Sequence, residues 1–305
     1  PWDLNIFVNM FLDFYQPEAL LLFETEIWPA MISMSKKKNI PVVLVNGRLS
    51  LKSYNAYLRV SWFLKSILQM IDFIFVQAPQ HRERFIHLGV KKEKIDVGGS
   101  VKFDAPGLNP QNLDLPRFIL GASTHAGEEE IMLKAFQQID SKHTHKLFIC
   151  PRHPERAREV LALANKMNFK AQLYSQLGLE QYEVCIIDRT GLLPDFYQGA
   201  DLAFVGGSLV PRGGHNLIEP ASLGSPIIIG PYTFNFEDIV QQFVDDQACM
   251  MVESEDELLA AMELLIKDAK IAMQYADRAQ QVVESNKGST EVQASYIIKQ
   301  LGEKI

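Results

Sequence analysis

Residues 204–220, FVGGSLVPRGGHNLIEP, gather four glycines, an arginine, a histidine, an asparagine and a glutamate behind an apolar run. Gly206 and Gly207 let a ligand approach the backbone closely, and Gly213 and Gly214 permit positive φ. His215 or Asn216 opens a helix expected to end near Leu223. Asn is a favoured N-cap, and the unpaired N–H groups at a helix start suit a phosphate. Glu219 follows Asn216 by about one turn, where its carboxylate can accept two hydrogen bonds from a sugar diol. A capping box alone explains Asn216 and Glu219. It leaves Arg212, His215 and the four glycines unexplained, so the stretch predicts a site for a phosphorylated, hydroxyl-rich ligand.

Other polar residues stand at the ends of apolar runs. In PRHPER (151–156), Arg152 and His153 lie between two prolines that fix the backbone, which favours ligand contact over scatter. In GGSVKFD (98–104), Lys102 follows a Gly-Gly pair. In ETEIWP (24–29), Glu24 and Glu26 flank Thr25 and would point the same way on a strand-like path. Such acids can do proton work or orient a donor; an acid-rich helix start explains them equally well. In NGRLS (46–50), Arg48 can meet an anion or form a surface ion pair. In ASTHAGEEE (122–130), Ser123 or Thr124 can cap a helix whose first turn carries Glu128–Glu130. That is sufficient as local helix chemistry, although a helix start is also an anion site. There is no G-x-G-x-x-G, no P-loop, no Asp-x-Asp and no His/Cys cluster with metal spacing. The expected chemistry uses no metal and no cofactor, and relies on fixed dipoles, Arg and Lys.

These residues need strands that end beside one another. Apolar runs at 19–24, 41–47, 73–77, 94–99, 117–123, 146–151, 183–188, 201–207 and 225–230 alternate with segments of helical period such as 128–139 and 155–167. Near-continuous Val/Ile/Leu strands between helices predict parallel sheets covered on both faces, an α/β doubly wound class. The Pro- and Asn-rich stretch 104–116 reads as a seam between two Rossmann-like halves facing a cleft, with ligands at the strand C-terminal ends. The expected division is 1–109, 110–283 and a final segment 284–305 that packs back on the first half. The tail from about 255 reads as helical, with a polar break at 284–290.

A chain of 305 residues, 47% apolar and 22% charged, suits two globular domains. The net charge of −7 divides into +3 over residues 1–110 and −10 over the remainder. The acidic bulk argues against nucleic acid, and the basic front can face an anionic partner. Cys150, Cys185 and Cys249 are too few and too far apart for a disulfide framework and point to a reducing compartment. No apolar run reaches the roughly 20 residues of a bilayer span, and no signal peptide is visible. The sequence starts at Pro1, and the expectation is a fragment of a longer protein.

ETEIWP, VNGRLS, GGSVKFD, ASTHAGEEE, PRHPER, FVGGSLVPRGGHNLIEPA and GPYTFNFEDI occur in that order. Together they closely resemble the 3-deoxy-D-manno-oct-2-ulosonic acid (Kdo) transferases of lipopolysaccharide synthesis, over about residues 2–300. The resemblance implies a GT-B fold and a metal-independent, inverting transfer of Kdo from CMP-Kdo to a lipid A precursor (lipid IVA) at the cytoplasmic face of the inner membrane. It implies that Glu24 and Lys102 stabilise the transition state and that Arg152 and His153 contact CMP. Thr190, Gly191 and Leu192 match a CMP-contacting turn, and Asn216, Leu217, Ile218 and Glu219 match the Asn-x-x-Glu that grips the nucleotide. With Gly207, Ser208, Arg212, Gly213 and His215 these form the expected donor set. Glu26, Arg48, Ser123 and Thr124 are further candidate contacts.

The chain departs from the family pattern at Pro211 and Leu192, where Glu is common, and at Tyr232, where His is common. Leu192 can then act only through its backbone. The family's general-base Glu, upstream in a Ser-x-Gly-Glu segment, has no counterpart, so donor binding without turnover is an expected property of this chain. Two rivals are a GT-B enzyme using a UDP-sugar, disfavoured by the motif order and by Ile227 where Glu would stand, and a non-catalytic nucleotide-sugar-binding module. Residues 51–70 mix Tyr54, Tyr57, Trp62 and Phe63 with Lys52, Arg59 and Lys65, which suits either a membrane-surface helix or a core-facing one.

Overall fold

A computed structural model describes residues 2–104, 107–139, 144–178 and 181–302. The chain forms two compact units, one of Pro1–Ala105 with Asn286–Ile305 and the other of Pro106–Ser285. Ala105 and Pro106 of the expected seam, and the last three residues of the expected final helix, lie outside the described residues.

The first unit starts with α1 (Asn5–Tyr15), an amphipathic helix that the sequence reading did not anticipate. Its Val8 and Leu12 pack on Met34 and Ile40, at and beyond α2 (Pro29–Lys37). Strands β1 (Leu20–Phe23), β2 (Val42–Gly47), β3 (Phe73–Val76) and β4 (Ile95–Val97) form a parallel sheet in the order β1-β2-β3-β4. The expected 51–70 helix is two, α3 (Leu51–Arg59) and α4 (Ser61–Met70), broken at β-branched Val60. Helix α4 buries Leu64, Ile67 and Leu68, whereas α3 only half-buries Tyr54 and Tyr57 against the core. Helix α5 (Pro79–His87) covers the same core through Phe85.

The second unit has a seven-stranded parallel sheet. Its strands are β5 (Phe118–Thr124), β6 (Lys146–Pro151), β7 (Ala171–Leu173), β8 (Val184–Ile186), β9 (Leu202–Val205), β10 (Ile227–Ile229) and β11 (Met250–Met251). Their order is β11-β10-β9-β5-β6-β8-β7. From β5 the chain winds outward through β6, then returns to β9 on the other side, so the topological switch lies between β5 and β9. Ligands bind at such points in open α/β sheets.

Strand alternation divides the core into two layers. Ile119, Leu147, Ile149, Val184 and Phe204 face α6 (Glu128–Gln138), α7 (Ala157–Lys166) and α11 (Glu255–Lys267). Phe118, Leu120, Phe148 and Cys185 face Phe196 and Tyr197 of α8 (Leu193–Gly199). Gly121 lets α6 close on β5, because a Cβ there would lie 2.5 Å from Met132 Sδ. After β9 the chain also forms α9 (Ile218–Ser222), α10 (Glu237–Asp245) and, beyond α11, α12 (Ala269–Ser285).

Helix α13 (Ser289–Gly302) belongs to the first unit. Asp104 caps it by accepting the Gly288 and Thr290 N–H groups, both at 2.6 Å. The buried Gln293 side chain accepts the Asn46 N–H at 3.0 Å and donates to the Gly98 and Gly99 carbonyls. Gly99, at φ 73°, leaves room for Ser289.

Candidate functional site

A pocket of about 300 Å³ opens at the ends of β5, β6 and β8 in the second unit. Ser123, Arg152, Thr190, Gly191 and Glu219 line it, together with Arg189, which the sequence reading missed. Ser123 leaves β5 in the left-handed region, at φ 53°. The neighbouring exit is pinned where Arg152 N donates to the Thr124 carbonyl at 2.9 Å. Gly191, at φ 81°, turns the chain into α8, with open space where a Cβ would stand. Burial raises the Glu219 pKa while Arg152 pulls it down. A guanidinium and a carboxylate thus share one cavity, a cation for a phosphate and an acceptor for a diol. The buried Cys150 thiol, also on the wall, is pushed up to about 11 and is not a nucleophile at neutral pH.

Beside Arg152 lies a cluster of histidines. His125 Nε2 and His215 Nε2 are 3.0 Å apart, with ring planes only 5° from parallel. The His153 ring packs edge-on to His125 with centroids 5.9 Å apart. Burial, and then Arg152, His125 and His153, lower the His215 pKa to about 4. His125 is lowered by burial and by Arg212, His153, Arg156 and Arg152. Gly207, at φ 68°, lies against the pair, since a Cβ there would reach 3.1 Å from His215 Nε2. His125 had no signal in the sequence, where it reads as one residue of a helix start.

The glycine-rich stretch does something other than expected. The N–H groups of Gly207 and Ser208, two members of the expected donor set, point at the fully buried Glu128 carboxylate, at 2.7 and 2.9 Å. Leu209 N and His125 N donate to it as well, both at 2.9 Å. Burial raises the Glu128 pKa and the four donors oppose it. The start of α6 is therefore filled by its own first carboxylate and is not an open anion site. Ser208 is fully buried, its hydroxyl donating to Val205 O and accepting Gly230 N at 2.9 Å. Gly206 serves strand packing, because a Cβ would sit 2.7 Å from Ser123 O. Gly213, at φ 95°, makes room for Phe234 and Asn235.

Three further expectations are corrected. Thr124 is fully buried and donates to Glu129 at 3.1 Å, so it neither caps α6 nor faces a ligand. Glu129, also buried, holds Arg156 at 2.7 Å. Helix α9 begins at Ile218, and Asn216 Oδ1 accepts the Ile218 N–H at 3.1 Å, leaving one donor fewer for a phosphate. Leu217 and Ile218 point into the core, so any contact from them is through backbone. Leu192 packs partly on the α8 core layer, while Arg212 and His153 are exposed.

In the first unit, Lys102 Nζ meets Glu24 Oε1 at 2.8 Å, each side chain about one-third exposed. Glu24 adopts φ 57°, so β1 ends before it, and the two acids of ETEIWP do not share a strand face. Glu26 accepts the Trp28 indole N–H at 2.9 Å. It also faces Tyr57, whose pKa burial and Glu26 raise. Arg48 is half-buried just beyond β2. Among the described residues no group of three or more His, Cys, Asp or Glu is arranged to hold a metal. None of their helices is long and apolar enough to cross a membrane.

The family described as 3-Deoxy-D-manno-octulosonic-acid transferase (kdotransferase) matches residues 1–105. The 3-deoxy-D-manno-octulosonic acid transferase of Haemophilus influenzae is 34% identical over 305 residues, covering 95% of this chain and 71% of that protein. The C-terminal CMP-Kdo binding domain of WaaA from Acinetobacter baumannii is 30% identical, with a TM-score of 0.53 over 56% of this chain and 90% of that domain. The UDP-GlcNAc 2-epimerase of Neisseria meningitidis, bound to UDP-GlcNAc, aligns with 97% of this chain and 80% of its own at TM-score 0.65. At 13% identity that likeness concerns the fold alone, the two-Rossmann GT-B architecture.

Proposed function

The chain belongs to the 3-deoxy-D-manno-octulosonic acid transferase family, and from that premise we propose that it transfers Kdo from CMP-Kdo to a lipid A precursor. The reaction inverts the anomeric centre without metal, at the cytoplasmic face of the inner membrane. The observation that carries this reading is the pocket holding Arg152 and Glu219 together, in a unit similar to a CMP-Kdo binding domain. The ribose diol donates to Glu219, the cytosine lies along the Thr190–Gly191 turn, and the phosphate meets Arg152.

Charge grows on the departing CMP phosphate, so fixed cations lower the barrier. Arg152 and Arg212 supply them in the second unit; the transition-state role of Lys102 in the first unit is carried over from the resemblance. The Glu24 carboxylate, paired with Lys102, steadies positive charge on the oxocarbenium-like sugar. Leu51, Leu58, Val60, Trp62 and Phe63 are exposed beside exposed Lys52, Arg59 and Lys65, which supports an anionic lipid surface as the partner of this face. Charge reversal at the three basic positions should weaken binding to anionic liposomes; unchanged binding would remove the membrane from the reading.

Calorimetric titration tests the donor assignment. CMP should bind in preference to UMP and UDP, and Glu219→Ala should abolish that binding. A preference for UDP would favour a UDP-sugar enzyme. Selective CMP binding with no Kdo transfer to a lipid A precursor is the outcome expected of a chain without a counterpart of the general-base Glu, and leaves the donor assignment standing.

A further inference from the structure

The His125–His215 contact restricts how many protons the two rings can hold. A hydrogen bond between two Nε2 atoms 3.0 Å apart needs an N–H on one and a lone pair on the other. A proton added to the acceptor Nε2 would set two N–H groups against each other. A proton added to the outer Nδ1 of the donor ring would instead leave the contact intact and strengthen it. The pair therefore has one comfortable vacancy, giving a monocation shared over two rings.

Its surroundings oppose filling that vacancy while the site is empty. Arg152, His153 and Arg156 face the pair from the exit of β6, and Arg212 from the loop after β9. The nearest carboxylate on α6, Glu128, is engaged by four backbone N–H groups, including that of His125 itself. Partial burial adds to the repulsion, and His215 is held down to about 4. An arriving phosphate would reverse the sign of this field.

We propose that the His125–His215 pair takes up one proton when a nucleoside phosphate binds the second unit and returns it when the ligand leaves. The inference rests on the donor-site reading above. The proton comes from solvent and adds to an imidazole Nδ1; no covalent bond between heavy atoms changes. The charge it brings stands next to the Arg152 cation, so binding should tighten on mild acidification, which a purely arginine-based phosphate site would not show.

The test is calorimetry of the full chain with CMP at about pH 6, in MES, Bis-Tris and imidazole buffers, which differ in ionisation enthalpy. The CMP phosphate, partly a monoanion at this pH, gives up a proton on meeting fixed cations, so apparent enthalpy plotted against buffer ionisation enthalpy should show a net balance shifted toward uptake by close to one proton per CMP beyond that release. Net uptake should fall by at least half a proton per CMP in His125→Gln and in His215→Gln, each titrated to saturation whatever its affinity. Bound CMP with only the release that its own phosphate supplies overturns the inference and leaves the donor reading standing. Uptake unchanged in both variants also overturns it, placing the proton on cytosine or elsewhere. CMP that does not bind at all removes the donor reading and the inference with it. Imidazole 15N shifts of the unmodified protein, recorded with and without CMP, give the same answer if either variant fails to fold: the Nδ1 signals must move toward imidazolium.

Discussion

Replacing Glu128 with glutamine changes one buried oxygen to an amide NH2 at nearly constant volume. In the wild-type chain one oxygen accepts from His125 N and Gly207 N, and the other from Ser208 N and Leu209 N. Whichever way the amide turns, two of these four N–H groups face another donor. Each buried donor left unsatisfied costs about 1–3 kcal/mol, so the variant should lose about 2–6 kcal/mol of the stability of the second unit. Glu128→Ala should lose at least as much, moderated by water entering the vacated space. Urea unfolding followed by far-UV circular dichroism reads the loss. All three tryptophans, Trp2, Trp28 and Trp62, lie in the first unit, so tryptophan fluorescence in the same samples provides an internal control that should hardly move. A glutamine variant within about 0.5 kcal/mol of wild type would be ordinary surface behaviour, and would refute the idea that this carboxylate organises the glycine-rich loop.

Arg156→Ala strips the buried Glu129 of its cation and should cost about 2–3 kcal/mol in the same unfolding assay; Glu129→Gln in that background should recover part of the loss. Gly206→Ala places a Cβ 2.7 Å from Ser123 O and Thr124 Cα, backbone atoms that cannot yield without separating β5 from β9, so a loss of about 2–3 kcal/mol is expected. Because the folded His215 pKa is about 4 against an ordinary 6.5, the unfolded chain binds its proton more tightly. Its contribution is complete above pH 6.5, declines as pH falls toward 4 and levels off below; thermal midpoints without ligand should follow that window, and His215→Gln should flatten it. A midpoint that climbs on acidification through this range would contradict the assignment. Asp104→Ala removes the N-cap of α13 and should cost the first unit about 1 kcal/mol, with faster amide exchange in the first turn of that helix as the readout.

Nine strands were legible because each lies in an apolar run; most are buried on both faces, while the edge strands β1 and β4 expose part of theirs. Strands β7 and β11 were not, being three and two residues at the sheet edges with half-exposed side chains. Within the site, Arg152 and Glu219 could be read from their places after apolar runs, Thr190 and Gly191 only from the resemblance, and all four line one pocket. Glu128 and Glu129 could not. In sequence they are acids in a first helical turn, and only folding brings Glu128 to N–H groups about eighty residues away. The same distance hid His125, whose partner His215 is ninety positions later. Gly207 and Ser208 misled for a related reason: backbone freedom and N–H groups are visible in a sequence, but whether the protein already supplies the anion is not.

Helix α13 gives the first unit an unusual dependence on time. Asp104 and Thr290, which meet at its cap, are 186 residues apart, and the whole second unit lies between them in the chain. At typical synthesis rates of 5–20 residues per second, about 10–40 s pass on the ribosome after the four strands of the first unit are made and before their last helix exists. During that interval the Gly98 and Gly99 carbonyls lack Gln293, and the rings of Phe73 and Phe75 lack Tyr296. The second unit can fold at leisure in the meantime. The nascent first unit must wait with an open face, which makes it the part of this protein with most to gain from a chaperone.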